Sequence, residues 1–135
     1  MLKLIVGVKG TGKTKKLIDM VNGAAAVSNG SVICIEKGAN LNFDITHKAR
    51  LINVDEFAIG DGQSLYGFVA GITASDHDIT DIFVDSPLKI CNQDLDDTVR
   101  CIEELAKLSE KVGYTCTLTL SIDAAACPDS VKKYL

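Results

Sequence analysis

Eight residues near the start of the chain, Gly7 to Thr14, combine the residue types that bind phosphate groups. They read GVKGTGKT, with glycine at positions 7, 10 and 12 and then a lysine and a threonine. Glycines let backbone N–H groups approach an anion without a Cβ in the way. A lysine ammonium supplies a mobile positive charge, and a threonine hydroxyl is an oxygen ligand that magnesium accepts. The segment therefore predicts a site for a phosphate group together with magnesium.

The flanking sequence predicts that this segment joins a strand to a helix. LKLIV (2–6) is a short apolar run followed at once by glycine, as in a buried parallel strand. From Lys13 to Val27, apolar residues recur at helical spacing with lysines on the other face. The positive end of a helix dipole lies at the first turn of the helix, and this favours binding of an anion there. A glycine-rich turn that binds nothing is the alternative, although the pattern arises by chance in under about 1% of chains this size.

The spacing GxxxxGK followed by Ser or Thr resembles the P-loop, or Walker A motif, of the P-loop NTPase superfamily. The chain looks like a small stand-alone, bacterial-type ATP-binding protein of that superfamily. The resemblance implies that eight residues bind the nucleotide: Gly7, Val8, Lys9, Gly10, Thr11, Gly12, Lys13 and Thr14. It also implies that Lys13 has a catalytic role, with its positive charge beside the β- and γ-phosphates, and that Thr14 is a magnesium ligand.

The superfamily further implies an aspartate that holds magnesium at the end of an apolar strand, and two positions fit. Asp85 follows the apolar run in IFVDSP, after a predicted helix that would supply the crossover. Asp55 follows LINV and precedes Glu56, the order found in ATPases that activate water with a glutamate. Because Asn53 within LINV indicates an edge strand, we favour Asp85 and keep Asp55 as the alternative. Either aspartate could instead cap a helix or lie in a loop.

Departures from the superfamily pattern narrow the expected function. Ser86 stands where many ATPases carry a glutamate, so no strong water-activating base is visible. No NKxD guanine-reading motif is present, which favours ATP over GTP. The chain has two arginines, Arg50 and Arg100, whereas small-molecule kinases clamp two phosphorylated substrates with several.

We expect a slow ATPase or an ATP-dependent switch that uses magnesium with ATP. One alternative is a nucleotide-binding regulatory module that does not hydrolyse ATP and reports to a protein partner. The other is a phosphotransferase that acts on a small metabolite.

Strands that alternate with helices predict one α/β domain over residues 1–135. The predicted strands are 2–6, 31–35, 49–54, 80–84 and 115–122, and the predicted helices are 13–27, 64–76 and 94–113, with a short helix in the tail. A hairpin through LNFDI (41–45) is also predicted. We expect a three-layer, P-loop NTPase-like domain with a mostly parallel sheet of about five strands and helices on both faces. Ligands of such sheets bind at the carboxyl ends of the strands.

Composition disfavours several other classes of protein. A net charge of −4 and a pI of about 5.0 argue against a nucleic-acid partner held by bulk electrostatics. No apolar run approaches the roughly 20 residues of a membrane span, and no signal peptide is seen, so we expect a cytoplasmic protein. The five cysteines form no CxxC pair, and His47 and His77 are far apart in the sequence. We therefore predict reduced cysteines and no zinc site.

Overall fold

The computed structural model describes residues 1–135 and shows a five-stranded, all-parallel sheet. The strands in chain order are β1 (Leu2–Val6), β2 (Ser31–Glu36), β3 (Arg50–Asn53), β4 (Ile79–Val84) and β5 (Thr115–Leu120). Their order across the sheet is β1-β5-β4-β2-β3, so β1 and β3 are the edges and β4 is central. The predicted α/β class and the parallel sheet of about five strands are confirmed.

Five helices connect or follow these strands. They are α1 (Lys13–Val27), α2 (Gly62–Ser75), α3 (Pro87–Ile90), α4 (Leu95–Val112) and α5 (Asp129–Lys132). Short 3-10 turns over Val54–Phe57 and Ala124–Ala126 follow β3 and β5. The three long predicted helices are present with ends shifted by about two residues or less, whereas α3 is not predicted. None of the helices is both long and apolar enough to cross a membrane.

Successive residues of the strands alternate between two apolar cores, one on each face of the sheet. On one face, Val32 and Cys34 of β2 pack with Leu17 and Val21 of α1. On the other face, a larger core joins residues such as Ile33 to α2 and α4. Helices therefore cover both faces, which is consistent with the predicted three-layer arrangement.

The predicted hairpin through LNFDI is wrong, because residues 37–49 form bends and turns without a strand. Side chains provide hydrogen bonds that a strand partner would otherwise supply. The Glu36 carboxylate accepts from the backbone N–H of Asn40 at 2.9 Å and of Leu41 at 3.2 Å. Asn22 of α1 donates to the Asp44 carbonyl oxygen at 2.9 Å. The segment is thus held to β2 and α1 as a folded loop.

Candidate functional site

A glycine-rich turn over residues 7–12 joins β1 to Lys13, the first residue of α1. Gly10 and Gly12 have φ angles of 89° and 83°, in the left-handed region that is strained for residues with a Cβ. Gly7 donates its N–H to the Leu120 carbonyl oxygen of β5 at 3.2 Å. The turn therefore begins at the carboxyl edge of the sheet, and two of its glycines are required by the backbone conformation.

Two side chains close the glycine-rich turn on the carbonyl oxygen of Val8. Thr11 Oγ1 donates to it at 2.8 Å, and Lys13 Nζ donates to it at 3.0 Å. Lys13 is the only buried lysine of the chain, with 8% of its surface exposed. An ammonium group has three N–H donors, so Lys13 retains two for an anion in front of the turn. Thr14 follows in the first turn of α1 and is exposed.

The glycine-rich turn forms one wall of a cleft of about 650 Å³. The cleft is lined by Lys9, Gly10, Gly12, Lys13, Thr14 and Lys15 from the turn and α1, and by Ser86, Leu88, Lys89, Gln93 and Ser121 from the segments after β4 and β5. Four of these residues are lysines and none is an aspartate or glutamate, although the whole chain has a net charge of −4. The lining therefore concentrates positive charge and favours an anionic ligand.

Asp85 directly follows β4, and Thr119 of β5 links it to the next residue. Thr119 Oγ1 donates to Asp85 Oδ1 at 3.1 Å and accepts from the Ser86 N–H at 2.8 Å. Because β5 lies between β1 and β4, Asp85 is two strand spacings, about 10 Å, from the end of β1. Asp85 is half-buried and does not line the cleft, whereas Ser86 lines it.

Asp55 and Glu56 lie at the far edge of the sheet. Both are in the 3-10 turn after β3, which is an edge strand as predicted. Four strand spacings, about 19 Å, separate β3 from β1. Asp55 Oδ1 instead pairs with Lys37 Nζ at 2.6 Å. The geometry thus favours Asp85 over Asp55 as the carboxylate near the glycine-rich turn.

Neither arginine of the chain lines the cleft. Arg50 is exposed on the edge strand β3. Arg100 is exposed on α4, with its guanidinium 3.7 Å from the Asp97 carboxylate. The positive charges of the cleft are therefore all lysines.

No three His, Cys, Asp or Glu side chains form a group that could hold a metal ion on its own. The five cysteines are all buried and free. Burial raises the pKa of the Cys34 and Cys116 thiols to about 12, so neither supplies a thiolate at neutral pH. A magnesium ion at the cleft would need ligand oxygens and water in addition to Thr14 and Asp85.

Some residues that line the cleft are not predicted by sequence patterns. Lys15, Leu88, Lys89, Gln93 and Ser121 line it without being predicted, and Thr119 supports it from β5. Ser121 directly follows a strand of a parallel sheet, a position that could have indicated it. No sequence pattern around Lys89 indicates in a similar way that this segment lines a ligand site.

No family model matches this chain, and no curated protein matches it. Its function is therefore inferred from the sequence motifs, the fold and the cleft.

Proposed function

We propose that this chain is an ATP-binding protein of the P-loop type that uses magnesium and acts as a slow ATPase or an ATP-dependent switch. The observation that carries the proposal is the cleft in front of the glycine-rich turn, with four lysines and no acidic residue in its lining. The turn lies between a parallel strand and a helix, where backbone N–H groups and the helix dipole both favour phosphate.

The residues of the turn have the chemistry that a triphosphate requires. Gly10 and Gly12 expose backbone N–H groups that approach phosphate oxygens closely. Lys13 has two N–H donors left for the β- and γ-phosphates, and its position is fixed by the bond to Val8. Lys9 is exposed in the lining and adds a second charge. ATP is preferred to GTP in this proposal because the sequence has no guanine-reading motif.

The oxygen donors beside the cleft fit magnesium. Mg²⁺ prefers oxygen ligands and keeps several of its waters. The Thr14 hydroxyl is exposed at the start of α1 and is suited to direct ligation. Asp85 does not line the cleft and is suited to contact through a water molecule, with its carboxylate oriented by Thr119. Bound magnesium would neutralise charge on the β- and γ-phosphate oxygens.

The same lining argues for slow hydrolysis. Phosphoryl transfer is accelerated by a group that orients the attacking water and by an arginine that stabilises the transition state. No carboxylate lines the cleft, and Arg50 and Arg100 lie outside it. ATP therefore stays bound for a long time before it is hydrolysed. This suits a switch whose protein partner supplies the missing water-orienting group or arginine.

Thermal unfolding with and without MgATP tests the proposal. ATP at 100 times its dissociation constant adds about 2.7 kcal/mol to the free energy of unfolding if it binds only the folded chain. For a chain of this size that raises the melting temperature by about 10 °C. Lys13→Ala should remove most of the shift.

Lys16→Ala is the matched control, because Lys16 is exposed one turn along in the same helix and does not line the cleft. It should retain the shift of the wild-type chain. If the wild-type chain shows no shift with any nucleoside triphosphate at millimolar concentration, the proposed function is wrong.

A further inference from the structure

Lys89 is the one positive charge of the cleft that does not belong to the glycine-rich turn or to α1. It lies in α3, is exposed, and forms no ion pair. The segment Ser86–Gln93 that carries it supplies four lining residues, among them Gln93. A lysine and an amide side chain thus lie on the β4 side of the cleft, across from Lys13.

The backbone of the segment Ser86–Gln93 has an unusual conformation. Only four non-glycine residues of the chain have positive φ, and three of them are here: Ser86 at 56°, Asn92 at 57° and Gln93 at 65°. Such conformations persist where the surroundings hold them, and they cluster at ligand sites. Here Thr119 holds Ser86, and the Gln93 N–H donates to the Leu88 carbonyl oxygen at 2.8 Å. The segment is therefore held in one shape by contacts outside and within it.

We propose that Lys89 and Gln93 bind the terminal phosphate of the triphosphate and so make the cleft prefer ATP to ADP. This inference rests on the proposed function. Thr14 and Asp85 would hold the magnesium ion, and the ion would neutralise charge on the phosphate oxygens. Because Asp85 follows β4, a terminal phosphate beside that ion would lie on the β4 side of the cleft, which Lys89 and Gln93 line.

The chemistry of the two side chains matches a terminal phosphate. The γ-phosphate of ATP carries more negative charge than its α- or β-phosphate, and a lysine ammonium is a compact partner for that charge. The Gln93 amide adds two N–H donors. Because neither arginine lines the cleft, Lys89 is the one positively charged lining residue outside the glycine-rich turn and α1.

Calorimetric titration with MgADP and with a non-hydrolysable MgATP analogue tests the inference. Lys89→Gln should weaken binding of the analogue about tenfold, because a charged hydrogen bond is lost, and that of ADP by less than about twofold. Gln93→Gly should act in the same direction but less strongly, and glycine tolerates the positive φ at this position. Lys111→Gln is the control, since Lys111 is exposed in the last turn of α4 and is not in the cleft.

Lys89→Arg should retain the preference for the analogue because it keeps the charge. Equal weakening of both ligands by Lys89→Gln would mean a general electrostatic effect and would overturn the inference. No change with either ligand would overturn it as well, while leaving the proposed function intact. A wild-type chain that binds neither ligand would instead refute the proposed function itself.

Discussion

Replacing Thr119 by valine removes a single hydroxyl group while keeping nearly the same side-chain shape. That hydroxyl donates to Asp85 Oδ1 at 3.1 Å and accepts from the Ser86 N–H at 2.8 Å. Thr119 is 1% exposed, and valine places a methyl group, which suits a buried position, where threonine has its hydroxyl. The substitution leaves the Ser86 N–H and Asp85 Oδ1 without the hydroxyl partner that links the end of β4 to β5 at the cleft.

The expected cost follows from these two lost hydrogen bonds. A buried donor or acceptor without a partner costs about 1–3 kcal/mol. Asp85 and Ser86 are half-buried, so water replaces part of what is lost. We expect Thr119→Val to lower the free energy of unfolding by about 2 kcal/mol. With a urea slope of about 1–3 kcal/mol per molar, the midpoint falls by about 1 M.

Urea unfolding followed by far-ultraviolet circular dichroism measures this change, since the chain has no tryptophan. Thr117→Val is the matched control. Thr117 lies two residues earlier on β5, is also 1% exposed, and takes no part in the bonds to Asp85 and Ser86. If Thr119→Val is no less stable than Thr117→Val, the hydroxyl of Thr119 does not hold the two strand ends together.

Three further predictions concern the metal, the turnover and the pH dependence of stability. Asp85→Asn should weaken the magnesium dependence of ATP binding in titrations, while Asp55→Asn leaves it nearly intact. The reverse result would place the metal at Asp55 and make Glu56 the catalytic base. The purified chain should release phosphate from ATP at less than about 0.1 per second, and tens per second would reveal a complete catalytic set. Burial raises the pKa of the Glu36 carboxyl above its ordinary 4.5, so the folded chain holds this proton more tightly than the unfolded chain. The contribution of Glu36 to stability is therefore full below pH 4.5 and is lost as pH rises through the raised pKa. Urea unfolding of the wild type and of Glu36→Gln should diverge over that window, and a difference that is constant with pH would contradict the assignment.

The glycine-rich wall of the cleft was predictable because its signals are local. An apolar run, glycines and a helical repeat follow one another within about 25 residues, and each specifies its own backbone conformation. The predicted hairpin through LNFDI is wrong because these residues form a folded loop rather than a strand. Leu41 and Ile45 are buried against α1, but Phe43 between them is fully exposed. Their spacing of four residues reflects a folded loop that touches the helix at two points.

The opposite wall of the cleft was not predictable, because tertiary contacts hold it. Ser86, Asn92 and Gln93 adopt positive φ without a glycine to indicate a turn. Ser86 depends on a hydroxyl from β5, which is distant in sequence. The order of the strands, which brings the ends of β1, β5 and β4 side by side, likewise has no local signal.

The proposed binding of ATP and its proposed hydrolysis require different groups in this cleft, and the lining residues supply them unequally. Binding needs positive charge and free N–H groups, which Lys13, Lys89 and the glycine-rich turn provide. Hydrolysis also needs a group to orient water, and Asp85, the carboxylate that follows β4, already accepts a hydrogen bond from Thr119. This hydrogen bond fixes the orientation of the carboxylate, which suits Asp85 to hold a hydrated metal ion. We therefore expect a protein that supplies an arginine in trans to accelerate hydrolysis without changing ATP affinity greatly, because the missing group acts on the transition state alone.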